Sequence, residues 1–319
     1  MTAQTGNPAQ RHVDTGESRN PVISLATSRI GPLLGILMGR LLPSKVAVRV
    51  ADRLAAWAAF RPENRVVRSV RANQAVVRDW PLSDPRLNEV VFRVFSNAAH
   101  GYLTFFRGLA RGRERLGAAC RLDPVLVDNL SRAREQGRGV FIVGPHMGNF
   151  DIALVALHQH DLDPLVLTYR NPRGSYLADN AIRQSYGVEL TPISIRSLRE
   201  ALTRLKYGGL VLTLVDRPDS QGEQVSFFGR TARLPVGHAR LALRAGALIQ
   251  VGAALKDGDH AYCVQAGELI DPQRRPGESE PAAARRIAEQ IAAGMEPFIR
   301  RRPAEWLMFL PVWPEALSS

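Results

Sequence analysis

The sequence predicts an α/β fold: a mostly parallel central sheet flanked by helices, with an N-terminal helical extension packed on it. Short continuous apolar runs recur through the second half of the chain, helical stretches separate them, and the first third shows only helical periodicity. Strands buried on both faces lose the alternation of half-exposed ones. Unbroken apolar runs of about four to eight residues between helices are therefore their signature.

Taken in order, residues 1–20 (MTAQTGNPAQRHVDTGESRN) are polar, contain Gly and Pro, and are expected to form a disordered tail. They lack the apolar stretch of a secretory signal. From Pro21 to about Leu116 the pattern is helical. Val46, Val50, Leu54, Trp57 and Ala58 recur at three- and four-residue steps. So do Val91, Phe95, Ala98, Tyr102 and Phe106, on a helix entered through Asp84-Pro85. Breaks fall at Pro43, Pro62 and Pro81. The run from Ile30 to Leu42 is too short to cross a membrane, which takes roughly 20 apolar residues, and Arg40 interrupts it. A core or interfacial helix is expected there.

Val140–Val143, Leu165–Leu167, Val188–Leu190, Leu210–Val215 and Leu248–Val251 are the expected buried strands. Helices such as Ser197–Lys206 and Gly237–Arg244 lie between them, and Tyr262–Gln265 suits an added antiparallel strand. A last amphipathic helix carries Ile287, Ile291, Met295 and Phe298 on one side. No repeat and no long linker divides the chain. Residues 21–120 are expected to be a helical region and 121–319 an α/β core, joined as one domain.

A chain of 319 residues buries a large core, and its 42 Lys+Arg against 30 Asp+Glu leave a formal charge of +12. That surplus favours an anionic partner such as a lipid surface or a phosphate-bearing substrate. Nucleic acid is disfavoured, because the basic residues are dispersed and no helix-turn-helix, RNA-binding sheet or zinc module is present. Cys120 and Cys263 stand apart, with no metal-binding spacing, and read as reduced thiols. No metal site is expected.

The chemistry is concentrated in Gly144-Pro145-His146-Met147-Gly148-Asn149-Phe150-Asp151, directly after the Val140–Val143 strand. Functional residues of open α/β sheets lie beyond the carboxyl ends of strands. Gly144 and Pro145 force a turn, and Asp151 falls in the first part of the next helix. Five residues turn through about 140° on a helix, so His146 and Asp151 meet only if His146 lies on the preceding turn. A histidine held by a carboxylate is a general base. Acyl transfer needs in addition donors for an oxyanion, from backbone N–H groups at the helix start or a nearby Arg. No G-x-S-x-G nucleophile motif is present, so a hydroxyl acceptor would attack directly. His12, His100, His158, His160, His238 and His260 lack such a setting and read as structural or surface residues.

His146-Met147-Gly148-Asn149-Phe150-Asp151 resembles the H-x4-[DE] block of the bacterial lysophospholipid acyltransferase superfamily. It is most similar to the branch of lipid A late acyltransferases and phosphatidylinositol mannoside acyltransferases, with Phe150 where that branch favours Trp. Gly209–Arg217, Val225–Arg230, Leu234–Ala242 (with His238 in place of a usual Pro) and Arg302–Trp306 resemble later blocks of the same branch, in order. The match runs from about Arg71-Ala72-Asn73 to residue 315.

The resemblance implies an acyltransferase at the cytoplasmic face of the plasma membrane, bound peripherally. Its donor would be acyl-CoA or acyl-carrier protein, its acceptor a glycolipid hydroxyl, and it would need no cofactor. His146 would be the base. The relay carboxylate would sit at the end of the later strand, at Asp216, leaving Asp151 to orient the loop or the acceptor; both carboxylates stay candidates. Asn149, Arg170, Arg217, Phe228, Gly229 and Arg230 are the candidate substrate-binding residues, the arginines for phosphate and Phe228-Gly229-Arg230 for the acyl or donor groove. Arg107, Arg111, Arg113, Arg115 and Arg300–Arg302 lie beside apolar helical faces, as contact with an anionic membrane surface requires. Competing readings are a lysophospholipid acyltransferase, a lipid esterase and a non-catalytic membrane lipid-binding protein.

Overall fold

The computed structural model describes residues 31–172, 175–258 and 262–317; the expected 1–20 tail, His12 and His260 lie outside them. Helices α1 (Gly31–Leu41), α2 (Ser44–Ala59), α3 (Arg65–Arg78), α4 (Arg86–Arg111) and α5 (Arg113–Gly117) make up the N-terminal part. There follow β1 (Cys120–Leu122), α6 (Pro124–Glu135), β2 (Val140–Gly144), α7 (Phe150–Gln159), β3 (Leu165–Thr168), α8 (Ser175–Ser185), β4 (Leu190–Pro192), α9 (Ile195–Lys206) and β5 (Leu210–Leu214). The chain continues through β6 (Glu223–Phe227), β7 (Arg230–Leu234), α10 (Gly237–Ala245), β8 (Leu248–Leu255), β9 (Tyr262–Ile270) and α11 (Glu280–Arg301). Short 3-10 turns at Pro303–Glu305 and Pro314–Leu317 come last.

Seven strands form one sheet in the order β1-β9-β8-β2-β5-β3-β4. β8, β2, β5, β3 and β4 run parallel, while β9 is antiparallel to β8 and carries β1 parallel to itself. The expected α/β architecture is what forms, including the antiparallel strand at Tyr262. Side chains alternate across β2: Phe141 and Val143 enter the core beneath α9, α10 and α11, and Val140 and Ile142 enter the core beneath α6 and α7. Both faces are thus covered, which is why β2 reads as an unbroken apolar run.

Helix starts follow local chemistry. Asn64, Asp123, Asn149, Ser194 and Ser279 each accept a first-turn backbone N–H, at α3, α6, α7, α9 and α11. The fourth strand begins two residues later than expected, at Leu190. Val188 donates its N–H to the Arg183 carbonyl at 3.3 Å and so closes the end of α8. Three strands went unread in the sequence. β1 is three residues long, too short for a pattern. β6 and β7 form an antiparallel hairpin whose two-residue turn, Phe228-Gly229, has φ of 53° and 70°. Such a turn matches the strand twist, and glycine meets the requirement without strain.

No described helix is long and apolar enough to cross a membrane. Cys120 and Cys263 are free and buried on adjacent strands.

Candidate active site

β2 and β5 are neighbours, with Gly144 opposite Leu214 in register. The Val215 N–H still bonds the Gly144 carbonyl at 3.0 Å. Two parallel strands leaving a sheet at one level deliver the residues two positions on side by side, and these are His146 and Asp216. His146 Nδ1 lies 2.5 Å from Asp216 Oδ1, and the His146 backbone N–H donates to Oδ2 at 2.9 Å. Trp306 Nε1–H donates to the same Oδ2 at 2.6 Å. Three N–H donors therefore converge on a carboxylate with 0% exposure, which offsets the cost of burying its charge. A carboxylate so held accepts from Nδ1–H, leaving the Nε2 lone pair free. The His146 side chain is 30% exposed, so the pair is sealed on the Asp216 side and open on the other.

The loop that carries His146 is fastened at each residue. Met147 donates its N–H back to the Pro145 carbonyl at 2.8 Å. Gly148 has φ +57°, and a Cβ there would lie 2.0 Å from the Ala254 carbonyl oxygen. Its N–H reaches the Glu305 carbonyl, while the Leu307 N–H reaches the His146 carbonyl at 2.7 Å. Met147 and Trp306 so form a short antiparallel bridge. Asn149 caps α7 through Oδ1 and donates through Nδ2 to the Gly101 carbonyl of α4 at 2.8 Å, beside the Tyr262 hydroxyl. Burial pushes that hydroxyl up to about 12, which keeps it neutral.

The segment after α11 is held as firmly as the loop it supports. Asn73 of α3 donates to the carbonyls of Met308 and Leu310 and accepts from Val312 N–H, and Gln74 donates to Pro303. Asn97 of α4 donates to the Ala304 carbonyl and accepts from Lys256 Nζ at 2.7 Å. Glu305, 5% exposed, accepts the Lys256 N–H. Phe228 stacks against the Trp306 ring, with Phe227 and Trp313 completing a buried aromatic cluster.

Asp151 does not meet the His146 ring. It accepts from Arg183 Nε of α8 at 2.5 Å, and Arg183 also donates to Asn180. Asp179 lies in the same group, where burial pushes its carboxyl up to about 6. The alternative left open by local spacing is decided by chain direction: Asp151 is on α7, which turns away from the strand end, whereas Asp216 leaves β5 alongside His146.

The other expected residues are distributed around this centre. Asn149 holds the loop. Arg217, next to Asp216, places its guanidinium 4.4 Å from the Tyr169 ring centroid at the end of β3, with Arg170 exposed beside it. Phe228 is buried, donates its backbone N–H to Glu296 at 2.6 Å and supports Trp306; Gly229 makes the hairpin turn and Arg230 is exposed after it. Trp306, Glu305, Tyr262 and Arg183 were not among the expected site residues. Only the Arg302–Trp306 block carried a signal, and it gave no role. Among the described residues no group of His, Cys, Asp and Glu could hold a metal ion.

The family model of the bacterial lipid A biosynthesis acyltransferases matches residues 24–315. Over 296 residues the chain is 28% identical to the phosphatidylinositol mannoside acyltransferase of Mycolicibacterium smegmatis, covering 91% of this chain and 92% of that one. It is 32% identical over 209 residues to the protein of the same name from Mycobacterium tuberculosis, covering 63% of each.

Proposed function

The chain belongs to the bacterial lipid A biosynthesis acyltransferase family, and on that premise we propose that it moves a fatty acyl group from a thioester donor, acyl-CoA or acyl-carrier protein, to a hydroxyl of a membrane glycolipid of the phosphatidylinositol mannoside kind. The observation that supports this best is the His146–Asp216 pair at the carboxyl ends of two adjacent parallel strands.

In this reading His146 Nε2 takes the proton of the acceptor hydroxyl as its oxygen attacks the thioester carbonyl carbon. The C–O bond forms, and the carbonyl oxygen takes up negative charge. Asp216 keeps Nδ1–H pointing inward and stabilises the imidazolium. When the tetrahedral intermediate collapses, the C–S bond breaks and the thiolate leaves with the proton held by His146. The chain itself carries no acyl group at any step. First-turn N–H groups of α7 and the Arg217 guanidinium are the donors assigned to the oxyanion, in keeping with the general demand for preorganised dipoles there. Arg170 and Arg217 are assigned to phosphate of the donor or acceptor.

An apolar cavity of about 40 Å³ lies under the loop, lined by Pro145, Met147, Phe150, Leu154, Leu157 and Leu212. One liquid water takes up roughly 30 Å³, so a long acyl chain enters this space only as α7 side chains change rotamer. The cavity supports an acyl site that opens on binding.

The test is transfer of label from a long-chain acyl-CoA into extracted lipids, by wild type and by His146→Ala. Labelling of a glycolipid by wild type alone supports the reading. Equal labelling by both proteins removes His146 from its role, and labelling of a simple lysophospholipid instead changes the acceptor.

A further inference from the structure

Helix α2 is turned the opposite way from an ordinary core helix. Its small residues, Ala47, Ala51, Ala55, Ala58 and Ala59, are buried against α3 and α4, and its large apolar residues face out. Val46, Leu54 and Trp57 are exposed, and Phe60, just past the helix, is 63% exposed. A helix shaped only by its own core would place the bulky residues inward. Leu37 and Leu41 of α1, the latter 68% exposed, extend the same kind of surface.

The charges along this helix are mostly basic. From Lys45 to Arg61 the basic residues are Lys45, Arg49, Arg53 and Arg61, and the one acid, Asp52, is turned to α4, where it accepts from Ser96 and faces His100. On a helical wheel Arg49 and Arg53 share the sector of Val46, Trp57 and Phe60. The Arg61 guanidinium sits 3.7 Å from the Trp57 ring centroid, an aromatic and a cation presented together. Of the other basic residues expected to face a membrane, Arg107 donates to the Leu42 carbonyl and Ser44, and Arg300 to Glu296.

We propose that the outward face of α2, with the exposed residues of α1, is the surface by which the protein docks on an anionic lipid bilayer. Apolar and aromatic side chains enter the headgroup boundary and the arginines meet lipid phosphates. A membrane is favoured over a protein partner because Arg49 and Arg53 lie among the exposed apolar residues, while the acid of the helix, Asp52, is already engaged by Ser96 and His100 of α4. The docking also orients the site. α4 carries α2 on Ala47, Ala51 and Leu103, and its Gly101 carbonyl accepts from Asn149 in the His146 loop. The bilayer is therefore one helix away from the loop. The inference draws on the glycolipid reading only for why a membrane lies near.

The experiment is co-sedimentation of the full-length protein with vesicles of phosphatidylcholine alone or mixed equally with phosphatidylglycerol. Wild type is expected on the anionic vesicles only. Arg49→Glu and Arg53→Glu each weaken binding by about fivefold or more, and Trp57→Glu/Phe60→Glu by more than tenfold. Ile195→Glu and Tyr207→Glu, exposed on and just after α9, leave it within about twofold. Because Arg49 and Arg53 are exposed, melting temperatures of their variants stay near wild type, and acyl transfer to a detergent-dispersed acceptor persists. Unchanged binding of the α2 variants overturns the proposal, as does equal loss in the α9 controls or no binding by wild type. A wild-type dimer that the α2 variants split assigns the face to a second copy and also overturns it. Vesicle binding without any acyl transfer supports this face while sinking the proposed activity.

Discussion

Trp306 Nε1–H and the His146 backbone N–H share one oxygen of Asp216, at 2.6 and 2.9 Å, so the other oxygen is left to the His146 ring. The indole orients the carboxylate without touching a reacting atom. Trp306→Phe keeps the ring stack on Phe228 and removes one hydrogen bond to a charged group, worth about 2 kcal/mol. The expected outcome is a loss of about thirtyfold in kcat with KM unchanged, since roughly 1.4 kcal/mol is a factor of ten. A rise in KM at constant kcat would instead place Trp306 in substrate binding. Asp216→Asn, which disturbs the tautomer itself, is expected to cost about 10³–10⁴ in kcat.

Asp151 and Arg183 form a largely buried ion pair, their side chains 16% and 13% exposed. Asp151→Asn takes away the guanidinium's ion-pair partner, leaving it Asn180 and the neighbouring Asp179, and is expected to destabilise by about 3 kcal/mol. Asp151→Asn/Arg183→Met, which removes both charges, recovers most of that in urea unfolding. Because Asp151 does not bond the His146 ring, the double variant is expected to keep far more kcat than His146→Ala. A double variant as inactive as His146→Ala would make the pair part of the chemistry.

Gly148→Ala adds a Cβ 2.0 Å from the Ala254 carbonyl oxygen at a residue with φ +57°. Backbone blocks backbone, so the loop must move. We expect a loss of at least about 2 kcal/mol in unfolding free energy, with activity falling further than stability explains. Gly229→Ala, at φ +70° with nothing near its Cβ position, bears only the conformational cost of about 1 kcal/mol.

His238 is buried at the start of α10, edge-on to Phe141, and burial holds its imidazole down at about 4 against 6.5 for a free histidine. Between those values the unfolded chain binds the proton and the native one does not. Its contribution is complete above pH 6.5 and is lost as pH falls towards 4, on the order of 3 kcal/mol in all. Urea unfolding at pH 7.5, 6 and 4.5 should show a shallower acid slope for His238→Leu than for wild type. Identical slopes would mean that His238 is hydrated.

Parts of this arrangement were legible before folding and parts were not, for physical reasons. The strand before His146 is written as an apolar run because both its faces are covered. Nothing local links His146 to Asp216, since their meeting depends on the register of β2 with β5, and the resemblance to a family supplied what spacing did not. Asn73, Asn97 and Trp306 act through backbone groups brought from distant segments and carry no periodic signal. The orientation of α2 was the least legible: apolar periodicity marks a helix, yet it does not say whether the large residues or the alanines turn inward. Three-residue β1 was below the length at which any pattern exists.

The bridge between Met147 and Trp306 ties the His146 loop to a segment made much later in the chain. A chain emerging from the ribosome exposes His146 and Asp216 well before Trp306, Glu305 and Leu307 exist. Until that stretch arrives, the Asp216 carboxylate has one donor fewer and the carbonyl of His146 has no partner. A chain lacking that stretch keeps every residue of the sheet yet loses the indole donor to Asp216 and the Leu307 N–H that hold the pair in place.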